Sequence, residues 1–350
     1  MITRLDKNAL RPKVQACIDK YLALGAQYCL TVGIYRQGEL YVLGDAPDAL
    51  SLQYDIGSVS KTVTAHLLLS LAEQGLLSTD QSVDRYLPLP KGSYPTVSEL
   101  MTHTAGYGHL TPLELTLPSL IAHGYARKNV YEGCTSSDVL RCLARRRHHR
   151  RASGYGYSDF AYAVLAVVAE HVTGKPFSAL VEDFLHEQLG MTHTVIKADP
   201  AHRTPPAVHR GRTLPFWRWE RENPYLAGGG LVSDVADMLR YVAIQIESEE
   251  PFIKKAHSLC AASVSSKRNV ATCTGWHTYK KSHQLWHVGG VGTFRSSVIV
   301  NRHNRFGVVV LGNAKGVASA NVHYLAKMLY SEFKIKKIDF TKTLSESPSL

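Results

Sequence analysis

The sequence predicts an α+β fold, a mostly antiparallel sheet flanked by helices with an all-helical lobe inserted in the middle. Three observations predict it. The first fifty residues read as a helix followed by a hairpin, the segment from Ser58 to about Leu189 reads as helical throughout, and strand-like runs return near the C-terminus. Strands at both ends of the chain imply that the two ends share one sheet and that the helical block is an insertion. The division that follows is a discontinuous α/β lobe of residues 1–57 and 225–335, a helical lobe of residues 58–224 that includes a long loop at 200–224, and a frayed tail at 336–350.

Each element has a local reason. Apolar positions between Leu10 and Leu24 have helical spacing, and "LTVGIYR" and "LYVLG" flank the turn "QGE" as the arms of a hairpin. In "TVSEL", Thr96 and Glu99 have capping-box spacing. The run "SDFAYAVLAVVAEHVTGKPF" is an apolar helix closed by Gly174 and Pro176. Periodicity fails across "AHRTPPAVHRGRTLPFWRWERENP", a loop long enough to suggest a functional role, whose Trp217 and Trp219 call for a packing partner. Further on, "GTFRSSVIVN" and "RFGVVVLGN" read as strands, and "ASANVHYLAKMLYSEF" as a helix.

Composition narrows the functional class. With 45% hydrophobic and 20% charged residues the chain is ordinary globular material, and it lacks the roughly eighteen consecutive apolar residues of a membrane span. The N-terminal stretch has no apolar block followed by a small-residue cleavage site, which predicts a cytoplasmic location. Six cysteines with no C-x-x-C pair are expected to be free, buried thiols. The net charge of +11 is concentrated in "ARRRHHRRASG", whose five arginines between Arg145 and Arg151 leave only +6 elsewhere. Such a run can grip polyanions, and it also reads as a solvated loop. Neither a phosphate-binding glycine loop nor a dinucleotide fingerprint is present, and His103 and His109, six apart, are not a helical metal pair; no cofactor, metal or nucleic acid is expected.

The chemistry starts at "YDIGSVSKTVTAHLLLSLAEQG", residues 54 to 75, where two serines and a lysine stand at the start of an apolar helix. Ser58 and Lys61 are three apart and share a helical face, so the amine can reach the hydroxyl, while Ser60 points elsewhere. Serine is a weak nucleophile at neutral pH and needs an adjacent base, for which a desolvated lysine is one solution. Free N–H groups at a helix start suit a developing oxyanion. By itself this spacing would more simply give a capping serine and a solvated lysine.

It does not stand by itself. "GSVSK" resembles the S-x-x-K motif of the serine β-lactamase and penicillin-binding protein superfamily, and "IGSVSKT" looks especially like its class C β-lactamase, D-alanyl-D-alanine carboxypeptidase and esterase branch. "YGYSDF" stands where that family has Y-x-N, and "LWHVGGVGTF" resembles its K-T-G or H-x-G strand. "LMTHTAGY", "LGMTHT" and "AGGGLVSDVADMLRY" resemble supporting stretches in the same order, so the resemblance covers about Asp55 to Asn313. It implies a cofactor-free acyl-enzyme mechanism with Ser58 as nucleophile, Lys61 and Tyr157 as its proton carriers, and the backbone N–H groups of Ser58 and Gly290 as oxyanion hole. A structural role is implied for His103.

Two departures bear on substrate. Asp159 replaces the family's asparagine, giving an acceptor-only carboxylate that favours an ammonium at Lys61. His287 takes the place of the lysine of K-T-G, which leaves substrate carboxylates to arginines such as Arg150 and Arg151, six residues or so before Tyr157. Gly289 and Gly290 would let substrate lie against the strand, and Trp217 and Trp219 would line an acyl pocket. The reading is a serine hydrolase acting on a small ester or amide, which can be anionic. A β-lactamase or D,D-carboxypeptidase, an acyltransferase, and a non-catalytic polyanion-binding protein remain open beside it.

Overall fold

The computed structural model describes residues 2–25, 28–44, 49–109, 111–123, 128–146, 155–205, 208–209, 212–258, 261–265, 270–279, 282–314 and 317–335. In chain order it begins with β1 (Ile2–Arg4), α1 (Pro12–Leu22), β2 (Leu30–Arg36), β3 (Glu39–Gly44), β4 (Tyr54–Asp55) and α2 (Ser60–Glu73). The helical lobe follows as α3 (Val97–Met101), α4 (Leu113–His123), α5 (Ser136–Arg145), α6 (Asp159–Thr173) and α7 (Phe177–Asp183). A two-residue pair, β5 (Val208–His209) with β6 (Arg212–Thr213), precedes α8 (Leu226–Gly229), β7 (Val232–Ser233), α9 (Val235–Glu247) and α10 (Pro251–Ser258). The chain ends with β8 (Ala261–Ser265), β9 (Val270–Thr272), β10 (His277–Tyr279), β11 (Gln284–Val291), β12 (Phe294–Asn301), β13 (Phe306–Gly312) and α11 (Val317–Ile335).

Nine strands form one sheet in the order β1-β3-β2-β13-β12-β11-β10-β9-β8, antiparallel except where β1 lies parallel to β3. The pairing of β2 with β13, Val32 opposite Val310, joins the two ends of the chain. Helices cover both faces. Ile18 and Tyr21 of α1 and Leu325 and Leu329 of α11 pack with Val308 and Val310 on one side. Val242 and Leu239 of α9 pack in the cluster of Val309 and Val298 on the other. Burial on both faces explains why β13 reads "FGVVVLG" without alternation, every residue being buried.

Local signals act as read. Thr96 accepts from the Glu99 N–H while the Glu99 carboxylate accepts from the Thr96 N–H. Gly174 closes α6 at a φ of 70°. The "QGE" turn has positive φ at Gln37 and Gly38, as a tight hairpin requires. Pro176, which with Gly174 ends α6 as expected, is also the N-cap of α7, so helix resumes at once. One expectation needs correction. Cys273 is disulfide-bonded rather than free, whereas Cys17, Cys134 and Cys142 are free thiols. No single helix among the described residues is long and apolar enough to cross a membrane; the one pair that passes together, α6 with Phe177–Gln188, is bent by 85°.

Candidate active site

Apolar burial explains where the helix behind Ser58 runs. From Ser60 to Leu71 every residue of α2 is buried, so the helix has no polar stripe and passes through the middle of the molecule. Ser58 lies just before it, in a 3-10 turn of Gly57–Val59 that continues into α2. Gly57 has a φ of +53°, and a Cβ there would stand 2.5 Å from the Gly290 nitrogen. Only glycine brings the nucleophile's turn this close to β11. The contact is fixed from the sheet side by Ser296, whose hydroxyl donates to the Ile56 carbonyl at 2.6 Å.

Lys61 is completely buried. Its Nζ donates to Asp159 Oδ1 at 2.5 Å, to the Gly228 carbonyl at 2.5 Å and to Ser58 Oγ at 3.3 Å, one bond for each proton of an ammonium. Ser60 faces away as the helical spacing requires, accepting from the Leu231 N–H at 3.2 Å. Burial lowers the basicity of Lys61, and the adjacent Asp159 carboxylate opposes that. Asp159 itself, though burial works against its charge, is held below the usual carboxylate range by Lys61, His109 and the hydroxyl of Tyr131. The pair is therefore carboxylate with an amine that gives up its proton more readily than an ordinary lysine.

Tyr157 completes the set around Ser58, whose hydroxyl favours ionisation of the phenol. Burial, and then the charge of Asp159, push the phenol well above its ordinary range, so it stands protonated. Its ring lies 5.0 Å under the Lys61 amine and 4.5 Å from the ring of His103. His103 accepts the Ser158 N–H on Nδ1 at 3.2 Å, tying the "HTAG" loop to the start of α6.

Beside Ser58 lies a narrow cavity of about 10 Å³, lined by Ser58, Asp159, Gly228, Gly229, Gly290 and Val291 and by four aromatic rings, Tyr131, Trp217, Trp219 and Tyr225. Two asparagines place these rings. Asn129 donates to the Arg218 carbonyl and accepts from the Tyr131 N–H, while Asn223 donates to the Tyr131 carbonyl and accepts from the Tyr225 N–H. Tyr131 and Tyr225 stack at 4.1 Å, and Trp217 and Trp219 meet at 6.0 Å. Beside the cavity, β10 pairs with β11 only at Trp286 and Leu285, which leaves Gly289 to Val291 without a strand partner on that side among the described residues. Such an edge offers backbone hydrogen bonds to an extended ligand.

Other sequence-derived candidates fall differently. Gly289 is required by the protein's own loop rather than by substrate, since a Cβ there would stand 1.9 Å from the Ile56 carbonyl oxygen. His287 is buried behind Tyr157, 6.3 Å ring to ring, and donates from Nδ1 to the Val288 carbonyl; it does not line the cavity. Arg150 and Arg151 lie outside the described residues. Nearby Arg146 is engaged by Glu114 and by the Cys142 carbonyl. Sequence reasoning missed Tyr131, whose hydroxyl donates to Asp159 Oδ2 at 2.7 Å, and the proximity of His109, whose Nδ1 is 3.7 Å from the same oxygen. Neither sits in a spacing that marks it.

One trio among the described residues, His193, Asp234 and Asp237, has metal-ligand proximity. Its oxygens are engaged in local structure, Asp234 by the His193 ring and the Asp237 N–H, Asp237 by the His193 N–H and Thr194 hydroxyl. It caps α9.

The family model described as Beta-lactamase matches residues 14–330. The chain is 22% identical over 294 residues to protein flp of Staphylococcus aureus (strain MRSA252), covering 79% of this chain and 54% of that protein, so it spans about half the length of that relative. The octameric penicillin-binding protein homologue from Pyrococcus abyssi has a TM-score of 0.74 at 20% identity, over 94% of this chain and 78% of that one. A class C beta-lactamase gives 0.73 at 18%, over 93% and 98%. These likenesses show a common fold, and the family match covers most of the sequence. The chain belongs to the beta-lactamase family.

Proposed function

We propose that the protein is a serine hydrolase that passes the acyl group of a small ester or amide through a covalent ester on Ser58. The observation that carries this reading is the bond from the Lys61 amine to Ser58 Oγ, with the Tyr157 ring 5.0 Å from that amine, beside an aromatic-lined cavity. Neutral Lys61 takes the Ser58 proton as the Oγ–C bond forms, and the carbonyl electron pair moves onto oxygen beside the backbone of Ser58 and Gly290. The carbon–leaving-group bond breaks as the Tyr157 phenol gives up its proton. Water then attacks the ester and returns a proton to Tyr157, and Lys61 returns the proton of Ser58 Oγ. A protonated phenol beside a depressed lysine supports this division, with lysine as base and tyrosine as acid.

The aromatic lining supports a small acyl group that packs against Trp217 and Trp219. Asp159, held by Lys61 and Tyr131, presents no N–H to an acyl-amide carbonyl, which counts against efficient β-lactam cleavage. The test is intact-protein mass spectrometry of wild type and Ser58→Ala after incubation with a p-nitrophenyl ester, a penicillin and a fluorophosphonate. An ester adduct that forms and clears on wild type and never appears on Ser58→Ala is expected. Absence of every adduct on folded wild type overturns the reading.

A further inference from the structure

Asp159 poses a problem for the proposed chemistry. A buried carboxylate needs compensation, and its close cation is Lys61, 2.5 Å from Oδ1. Lys61 must stand as a neutral amine to take the proton of Ser58, and in that state the counter-charge is gone. The other oxygen is served differently. Tyr131 donates its hydroxyl to Oδ2 at 2.7 Å, and both residues are buried. His109 Nδ1 stands 3.7 Å from the same oxygen, beyond hydrogen-bond reach. The Tyr131 hydroxyl is aimed by contacts that do not involve it: the ring stacks on Tyr225 at 4.1 Å, the N–H donates to Asn129 Oδ1, and the carbonyl accepts from Asn223 Nδ2. A donor to a carboxylate is worth more the less that charge is shared with a cation, so this bond favours the state in which Lys61 is neutral.

We infer that Tyr131 is a positioning residue whose hydroxyl holds Asp159 and stabilises its charge while Lys61 is a free amine, so that Lys61 can take the proton of Ser58. The inference rests on the acyl-enzyme reading above. In the step itself the Ser58 O–H bond breaks and an N–H bond forms on Lys61, whose ammonium again pairs with Asp159 until the proton returns to Ser58 Oγ. The Tyr131 O–H bond stays intact throughout. Around Lys61 stand Asp159 of α6, the Gly228 carbonyl of α8, and the rings of Tyr157 and Tyr162 at 5.0 and 5.4 Å. His103, His277 and His287 also face it, and burial lowers all three. Around Asp159 stand Lys61, Tyr131, His109, Tyr157 and Tyr225.

The test reads Lys61 itself. A ¹⁵N NMR titration of the Lys61 amine, assigned with Lys61→Arg, is run on wild type, Tyr131→Phe, Asp159→Asn and the double variant, together with the pH profile of kcat/KM for a p-nitrophenyl ester. Tyr131→Phe keeps the ring, its stack on Tyr225 and both backbone bonds, and removes only the hydroxyl. In that variant the Lys61 midpoint is expected to move up by about one pH unit, and the acid limb of kcat/KM to move with it, so that the rate on that limb falls about tenfold. In the Asp159→Asn background, where no carboxylate is left to stabilise, Tyr131→Phe is expected to leave the Lys61 midpoint in place. A midpoint that does not move in Tyr131→Phe overturns the inference. An equal shift in both backgrounds overturns it too, because it would show that Tyr131 acts by shaping the cavity and not through Asp159. The titration stands whether or not Ser58 forms an ester, so failure of the hydrolase reading shows separately, as a wild type that takes no adduct.

Discussion

Lys61 and Asp159 are the side chains on which the site's energetics turn. Each is buried, and each is compensated chiefly by the other. Removing one partner of a buried pair costs about 3–5 kcal/mol, because the survivor keeps its charge without compensation, whereas replacing both costs much less. Lys61→Met is therefore expected to lower stability by about that amount, and Lys61→Met/Asp159→Asn to recover a large part of it, measured as a double-mutant cycle in urea. The two glycines of β11 make a second contrast at this scale. Gly289→Ala drives a methyl into the Ile56 carbonyl, backbone that cannot yield without moving the turn of Ser58, while in Gly290→Ala the methyl meets the guanidinium of Arg295 at 3.1 Å, a side chain that can swing aside. Gly289→Ala should depress both melting temperature and Ser58 acylation, and Gly290→Ala should leave the melting temperature nearer wild type. Equal losses in both variants would show that the Ile56 contact is not the reason for glycine at 289. Ser58 and Lys61 could be recognised as a pair because three residues make nearly one helical turn. Tyr131 and His109 could not, because each reaches Asp159 from a loop whose path no local spacing encodes.

Among elements, those with caps and strong periodicity were legible. The capping box at Thr96 and the left-handed glycine at 174 lie where their residue types and spacings put them, because a cap is satisfied within four residues. Thr96→Ala should cost about 1 kcal/mol, read as a shift in thermal midpoint, and Thr96→Ser should restore most of it. A second box at Thr135 and Asp138, which opens α5, obeys the same rule. β1 was not legible, since three residues give no alternation to read and its parallel pairing with β3 is a tertiary contact. Among the described residues, the loop across 200–224 is irregular apart from the pair β5–β6, yet its aromatic end is fixed by Asn129 and Asn223, which tie it to the turn before α5.

For the whole molecule, buried histidines give a pH dependence of stability. Burial lowers His66 to about 3 and His257, His277 and His323 to about 4. Each stays neutral in the folded protein while the unfolded chain, with an ordinary value near 6.5, binds a proton. The unfolded state thus holds more protons between about pH 6.5 and 4, so stability is full above that window and falls as pH drops through it, by up to about 1.4 kcal/mol per pH unit for each histidine. Asp55, raised by burial to about 6 despite its ion pair with Arg203, works in the opposite sense over the same window, as do the raised carboxylates of Asp234 and Glu73, but burial lowers His103 and His287 as well as the other four histidines. Urea midpoints measured at pH 7, 5.5 and 4.5 should decrease in that order, and midpoints independent of pH would contradict the neutral, buried assignment.

By itself the sequence determined the family, the α+β class and the order of the chemical residues along the chain, because motif spacing, caps and hydrophobic period are short-range properties that a chain carries in any conformation. Only the tertiary structure decided what surrounds those residues: that Gly289 serves the turn at Ile56, that His287 stands behind Tyr157 instead of lining the cavity, that Cys273 is linked, and that Asp159 is shared by Lys61, Tyr131 and His109. These depend on side chains brought together across tens of residues by sheet register and helix packing, and an electrostatic environment exists only once that packing has excluded water.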